Sequence, residues 1–336
     1  MTETAPQNGE LDVLCVGNAI VDVLSQTDDA TIEELGMVKG TMALIDAEQA
    51  EALYARMAPG VETSGGSAGN TAAGLASLDA RCAFVGRVRD DQLGDIFTHD
   101  IRSIGVEYAT PAATDGPPTA RCLILITPDA QRTMNTFLGA SVNLGPEDID
   151  EAQVARAKVT YLEGYLWDRD EAKEAFLAAA GFAAKHDRLV SLSLSDPFCV
   201  DRHRDSFRDF VSGHVDVLFA NEDEITSLYQ VPDFDAALQH VREDCRIAAL
   251  TRSEKGAVVV SGDEVHVIDA QPVDKVVDTT GAGDQFAAGF LYGLTAGRDL
   301  AACARIGGIA AAEVIAHVGP RPRVKLADLV AGKLDG

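Results

Sequence analysis

The chain has no Cys-x-x-Cys pair, no two histidines four residues apart, no uninterrupted apolar stretch of 18 residues and no excess of basic charge. Without histidine or cysteine clusters at zinc-ligand spacing, a zinc hydrolase loses its main support, and neither a dehydrogenase nor a serine hydrolase is expected. The missing apolar run argues against a membrane span, and Met1 to Glu10 is polar, without the basic region and apolar core of a secretory leader. A cytoplasmic location is therefore expected. The six cysteines, Cys15, Cys82, Cys122, Cys199, Cys245 and Cys303, are scattered, several of them in apolar runs, and read as reduced core thiols. With 28 Lys and Arg against 53 Asp and Glu the net charge is −25, and such a surface repels nucleic acid and anionic membrane. A small anionic ligand then requires local backbone dipoles and a metal ion, a demand that Mg²⁺ meets. Aromatics are few, at 6%, yet 46% of residues are hydrophobic and alanine and glycine abound. That composition suits helices packed on a parallel sheet and argues against disorder.

The most informative stretch is Asp278-Thr279-Thr280-Gly281-Ala282-Gly283-Asp284, followed by the apolar run Gln285 to Leu291. Two glycines around an alanine let the backbone turn its amides inward, and the following run opens a buried helix whose dipole attracts phosphate. Asp284, at the start of that helix, would lie beside the bound anion and could take the proton of an acceptor hydroxyl. The plain alternative is a turn with a dipole-favoured acid at the helix start.

Four other groupings carry polar chemistry. Gly65-Gly66-Ser67-Ala68-Gly69-Asn70 enters the helical run Thr71 to Leu78 and presents amides, a hydroxyl and a carboxamide; the same residues could simply cap a helix. Gly17-Asn18 and Asp22 follow the first strand, where open α/β sheets place ligands and where a carboxylate can hold two vicinal hydroxyls, or sit in a turn. Asn221-Glu222-Asp223-Glu224 starts a helix after an apolar strand. Its acids suit the helix dipole regardless of function, while Asn221 and Glu224 on one face could orient water around magnesium carried by a triphosphate. Thr251-Arg252-Ser253-Glu254-Lys255-Gly256 could touch phosphates or be a plain turn. Lys255 is not a Walker lysine, because no Gly-x-x-x-x-Gly-Lys-Ser/Thr string occurs, and P-loop kinases are disfavoured.

Apolar runs at Leu11–Val16, Arg81–Val85, Val159–Leu162, Leu189–Leu194, Val215–Phe219 and Ile247–Leu250 alternate with helical patterns such as Glu171–Lys185 and Ala236–Cys245. Strand then helix, repeated, predicts a parallel sheet with right-handed crossovers. Two segments break the rhythm, about 20–47 and 106–144. In the second, Ala120–Ile126 and Arg132–Phe137 read as paired strands across the turn Pro128-Asp129-Ala130. A small second sheet serving as a lid over one domain spanning 1–336 is expected.

The order of these motifs along the whole chain resembles the ribokinase-like PfkB carbohydrate and nucleoside kinase family, and within it the adenosine kinases, on Gly17–Asp22, Gly65–Asn70, Ser195-Asp196-Pro197-Phe198 and Asp278–Asp284. The resemblance implies a three-layer α/β/α sandwich with a β lid, ATP as donor with Mg²⁺, and phosphorylation of a primary hydroxyl. It gives Asp284 the part of base and Gly281, Ala282 and Gly283 that of the anion hole. It also implies that Asn18, Asp22, Gly66 and Asn70 hold the ribose, with Gly65 and Ser67 also at the substrate. Tyr165, in the aromatic-rich Tyr161–Trp167, would stack on a purine or pack under the lid. Asn221, Thr251, Ser253 and Gly256 would meet the nucleotide, and Glu224 the metal through water. Arg132 would neutralise phosphate or lie on a solvated face. Leu166 stands near where adenosine kinases place a second aromatic, which keeps a ribose or fructose kinase open beside a nucleoside kinase, with a non-catalytic nucleoside sensor as the remote alternative. A monovalent cation such as K⁺ and a monomer or homodimer complete the expectations.

Overall fold

Strands form where the sequence supplies short, continuous apolar runs. The computed structural model describes residues 9–129 and 131–334, so Ala130 of the expected turn and the first eight residues of the polar N-terminal stretch lie outside the described residues. Fourteen strands occur in order: β1 Leu11–Val16, β2 Ile20–Gln26, β3 Met42–Leu44, β4 Val61–Gly65, β5 Cys82–Val85, β6 Glu107–Tyr108, β7 Ala120–Ile126, β8 Arg132–Phe137, β9 Ala157–Glu163, β10 Leu189–Ser193, β11 Val217–Asn221, β12 Ile247–Thr251, β13 Ala257–Ser261 and β14 Glu264–Ile268. Nine of them build one sheet in the order β14-β13-β12-β11-β10-β9-β1-β5-β6. It is parallel from β12 to β6 and ends in the antiparallel hairpin β13–β14.

The sheet is covered on both faces, which is why its central strands are apolar throughout rather than alternating. In β1, Leu14 and Val16 join a core with Phe176 and Phe207 on one side, while Val13 and Cys15 join Leu75, Phe84 and Phe290 on the other. The helices Asp170–Lys185 and Pro197–His214 cover the first face, and Ser67–Ser77 and Ala282–Thr295 cover the second. These last two helices meet closely: a Cβ on Gly74 would stand 2.8 Å from the Ala288 methyl. All six cysteines are buried and unpaired.

The remaining strands form a second sheet, β3-β8-β7-β2-β4. Two of its boundaries depart from the sequence reading. β4 belongs to it, paired antiparallel with β2, although Val-Glu-Thr-Ser-Gly shows no apolar alternation and reads as a loop. β6 belongs instead to the large sheet, beside β5. Period-2 geometry places Ile20, Asp22 and Leu24 of β2 on one face with Cys122, Ile124 and Ile126 of β7 and Arg132 and Met134 of β8. The apolar members of this face pack against one another and against Val318. Asp22 and Arg132 therefore share one side of the small sheet, the side met by the segment following the helix Leu300–Val314.

Candidate active site

The parallel strands end together, and their carboxyl ends bring Gly17, Glu163, Ser193, Asn221 and Thr251 to one edge; Asn221 and Thr251 are direct register partners. Ligands in open α/β sheets bind outside this edge. The anion turn stands there. Gly281 has φ +79 and caps the helix Ala282–Thr295, a left-handed conformation favouring glycine, and a Cβ on it would meet the backbone of Pro320 at 2.6 Å. The amides of Gly281, Gly283 and Asp284 find no acceptor among the described residues and remain available to an anion.

Asp284 is held from across the cleft. Ser67 Oγ donates to its Oδ1 at 2.6 Å and Asn70 Nδ2 to its Oδ2 at 3.1 Å. Burial raises its pKa to about 6, opposed by these two hydrogen bonds. The carboxylate is ionised at neutral pH and stays basic enough to accept a proton. Gly65-Gly66-Ser67-Ala68-Gly69 has the Gly-x-Ser-x-Gly spacing of a nucleophile elbow, so sequence alone does not dispose of a serine nucleophile. The geometry does, because the Ser67 hydroxyl is spent on Asp284 and meets no histidine among the described residues.

Asp22 faces the same space. Its carboxylate rests over Gly65, where a Cβ would come within 2.5 Å of it, and it accepts no hydrogen bond from the described residues. Burial raises its pKa to about 6, against the pull of Arg321 and Arg132 and with a further push from Asp284. Gly66 has φ +87, and a Cβ there would stand 2.1 Å from the Asn18 carbonyl oxygen, so this turn admits no side chain.

Two residues expected at the ligand make internal hydrogen bonds. Asn18 is only 2% exposed, its Nδ2 donating to Glu163 Oε1 at 2.7 Å and its Oδ1 accepting from Ser141 at 2.8 Å. Both ends of the amide are used internally, because Glu163, buried at the end of β9, needs donors. Ser67 likewise serves Asp284 rather than the open cleft. Arg132 does not lie on a solvated face. Its side chain is 6% exposed and paired at 2.8 Å with Asp278, the first residue of the anion-turn motif. Two of its guanidinium nitrogens, Nε and Nη2, have no partner. Asp278 also accepts from Thr280 and from the Gly319 amide; these bonds and Arg132 outweigh burial and leave its pKa lowered.

Glu224 closes a capping box, its two oxygens accepting from the Asn221 amide (2.9 Å) and side chain (2.7 Å). It is buried, and its pKa is raised to about 7 by that burial first. Gly256 has φ +83 and a Cβ there would be 2.0 Å from the Ile268 carbonyl oxygen, so the turn before β13 itself requires glycine. Ser253, at φ +51, starts that turn, and Gly256 N–H donates back to its carbonyl at 3.1 Å. Of Tyr161–Trp167, only Tyr165 reaches outward, at 41% exposure. Leu166 and Trp167 are buried, Trp167 stacking on Phe207. The Tyr165 phenol is pushed up by burial and then by Asp196 and Asp284, as befits a ring beside the cleft.

Sequence reading assigned no part to Glu163, Ser141 and Arg321, and gave Phe198 none beyond its place in the Ser195–Phe198 motif. Glu163 has the clearest signal, a carboxylate closing an apolar strand. It accepts from Asn18 and from the Ala68 amide at 2.8 Å, and burial raises its pKa to about 7. Phe198, 73% exposed, stands in the first turn of the helix Pro197–His214, which Asp196 caps.

Residues 35–325 match the pfkB family carbohydrate kinases. The chain belongs to this family. It is 53% identical to a solved structure described as a probable sugar kinase from Rhizobium etli CFN 42, over 98% of this chain and 99% of that one, with a TM-score of 0.89. It is 52% identical to adenosine kinase from Sinorhizobium meliloti over 98% and 100% of the two chains, with a TM-score of 0.88. The adenosine kinase of Saccharomyces cerevisiae is 27% identical over 92% of this chain and 96% of its own length. This PfkB kinase is thus an ATP-dependent phosphotransferase with a hydroxyl acceptor, a sugar or nucleoside kinase of the ribokinase-like fold that most resembles adenosine kinases. None of its helices, among the described residues, is long and apolar enough to cross a membrane.

Proposed function

We propose that the chain transfers the γ-phosphoryl group of ATP to the 5′-hydroxyl of adenosine or a related nucleoside, giving the nucleoside monophosphate and ADP. The observation that carries this reading is the placement of Asp284, oriented by Ser67 and Asn70 beside three free backbone amides and opposite the unpaired carboxylate of Asp22. Asp22 accepts from the vicinal ribose hydroxyls, which places the 5′-hydroxyl at the base. Asp284 takes its proton as the oxygen attacks phosphorus. The amides of Gly281, Gly283 and Asp284 at the positive end of the helix stabilise charge on the equatorial phosphoryl oxygens, where a loose transition state gathers it. Tyr165 offers its exposed ring to the purine.

Asn221, Thr251 and Ser253 lie along the sheet edge on the nucleotide side of the anion turn in this proposal. Among the described residues no three His, Cys, Asp or Glu side chains gather to hold a metal, and both oxygens of Glu224 already accept hydrogen bonds. That donor set fits a hydrated Mg²⁺ carried by the phosphates, touched by Glu224 through water. Bound there, the ion would neutralise phosphate charge in an otherwise acidic molecule. Arg132, with two unpartnered nitrogens, is the protein's own cation facing the anion turn.

A free sugar as acceptor is the second reading, favoured by the description of the Rhizobium etli relative. It would use the same base and amides without a ring contact at Tyr165. Measuring ADP release with Mg·ATP and adenosine, inosine, ribose or fructose in separate reactions decides between them. Adenosine preferred by a hundredfold or more in kcat/KM supports the nucleoside reading, and turnover of a free sugar alone overturns it.

A further inference from the structure

Gly319-Pro320-Arg321-Pro322 follows the helix Leu300–Val314, far from every motif that carries the family resemblance, yet it returns to the floor of the cleft. Gly319 N–H donates to Asp278, and the Pro320 carbonyl accepts from Gln285 at 3.1 Å while its backbone abuts Gly281. Arg321 extends further. Its Nη1 donates to Asp100 on the helix Gln92–Ser103 at 3.1 Å, its Nη2 to Ser64 Oγ on β4 at 2.8 Å, and its Nε points to Asn70 Oδ1 at 3.4 Å. Asp100 is itself fixed by the Ser64 amide at 2.8 Å and by Thr63 at 3.1 Å. One guanidinium therefore joins the small sheet, two helices and the C-terminal segment.

Its neighbours give it a second consequence. Ser64 adjoins Gly65, over which the Asp22 carboxylate lies, and that carboxylate has no hydrogen-bond donor of its own among the described residues. Asn70 presents its oxygen to Arg321 and its nitrogen to Asp284, so the guanidinium fixes which way round the amide stands. Arg321 thus touches neither reacting atom and bears on both carboxylates of the site.

We infer that Arg321 is a positioning residue for acceptor binding: it braces Ser64 and Gly65 beneath the Asp22 carboxylate and holds Asn70 with its donor toward Asp284. The inference rests on the nucleoside or sugar reading above only in taking a diol-bearing acceptor. The charged and titratable groups facing Asp22 are Arg321 from the C-terminal segment, Arg132 from β8, Asp284 from its helix and Cys122 from β7, with Asp100 beyond Arg321. Arg321 is the stronger of the two cations that lower the Asp22 pKa, against burial, which raises it. Removing Arg321 moves that pKa upward, so Asp22 accepts hydroxyl protons poorly until a higher pH.

The test compares wild type, Arg321→Met, Arg321→Lys and Ser64→Ala with adenosine and with 2′,3′-dideoxyadenosine, which keeps the 5′-hydroxyl and lacks the diol. Arg321→Met is expected to raise the adenosine KM at least tenfold at pH 7 and move the acid limb of kcat/KM upward, while the KM values for the dideoxy compound and for ATP change less than threefold. Arg321→Lys should restore most of the adenosine KM, and Ser64→Ala should shift it in the same direction by a smaller factor. Equal rises in KM for both nucleosides, or an adenosine KM and pH profile unchanged in all three variants, overturn the inference. If Arg321→Met does not fold, the lysine and Ser64 variants carry the same comparison. A wild type that turns over ribose and not adenosine overturns the nucleoside reading instead, and ribose against 2-deoxyribose then tests Arg321.

Discussion

Ser67 Oγ lies 2.6 Å from Asp284 Oδ1 although 217 positions separate them in the chain. The contact joins the glycine-rich turn that opens one helix to the anion turn that opens another, and the close crossing of those helices at Gly74 makes it geometrically reproducible. If Asp284 is the base, Asp284→Asn keeps this packing and removes proton acceptance. Turnover should fall by roughly 10²–10⁴-fold with both KM values near wild type. Steady-state kinetics check this, and a kcat within tenfold of wild type would exclude Asp284 as the base.

The pH profile follows from the sign of the same shift. Burial raises the Asp284 pKa to about 6, and only the unprotonated form works as a base. The kcat should therefore be level above pH 7 and fall about tenfold per unit well below pH 6. Ser67→Ala removes a hydrogen bond that favours the charged form, so its limb should move to higher pH. Asp22, also raised to about 6 by burial, titrates in the free enzyme too, and kcat/KM reports the pair rather than either residue. A pH–kcat profile whose limb stays put in Ser67→Ala would show that this hydroxyl does not tune the base.

Gly281→Ala tests the turn itself. An alanine at φ +79 is strained by about 1–3 kcal/mol, and its methyl would collide with the Pro320 backbone. Activity should drop by more than a hundredfold with a measurable loss of thermal stability. Gly283→Ala, where a Cβ would meet nothing within 4 Å, should keep the fold and lower activity only by crowding the phosphate. Thermal melts and kcat on both variants separate strain from crowding.

The strands of the large sheet and the glycine turn at Gly281 were legible because each rests on local pattern: continuous apolar runs for strands buried on both faces, and a glycine that the left-handed turn requires. The bounds of the small sheet were less so. β4 is an edge strand of mixed polarity that pairs with β2 across about 40 intervening residues, and nothing local in Val61–Gly65 announces that partner. Asn18 reads as a ligand contact from its position after β1. Its hydrogen bonds to Glu163 and Ser141 depend on residues more than 120 positions away. Arg321 was missed for the same reason, since its partners Ser64, Asn70 and Asp100 belong to three other elements.

Glu163 gives a prediction of stability. Its oxygens accept from Asn18 Nδ2 and the Ala68 amide, so Glu163→Gln sets an NH₂ group against a buried donor. Leaving one such group unsatisfied should cost about 1–3 kcal/mol in denaturant unfolding. Because Ala68 lies in the first turn of the helix that carries Ser67 and Asn70, kcat should fall along with stability. A Glu163→Gln variant as stable and as active as wild type would show the helix start to be held without this carboxylate.

Tyr165 distinguishes the two acceptor classes within a single variant. Its ring is 41% exposed beside the cleft, whereas Leu166 and Trp167 are packed inside. Stacking of a base on an aromatic ring is worth about 1–3 kcal/mol, so Tyr165→Ala should raise the adenosine KM by roughly 5–150-fold while preserving kcat at saturation. Tyr165→Phe should remain close to wild type, since the ring face rather than the phenol makes the contact. A free sugar has no aromatic base for Tyr165 to stack on, so an acceptor of that class would lose little affinity in Tyr165→Ala. An unchanged adenosine KM in that variant would remove Tyr165 from purine recognition, and the exposed ring of Phe198 would be the next to substitute.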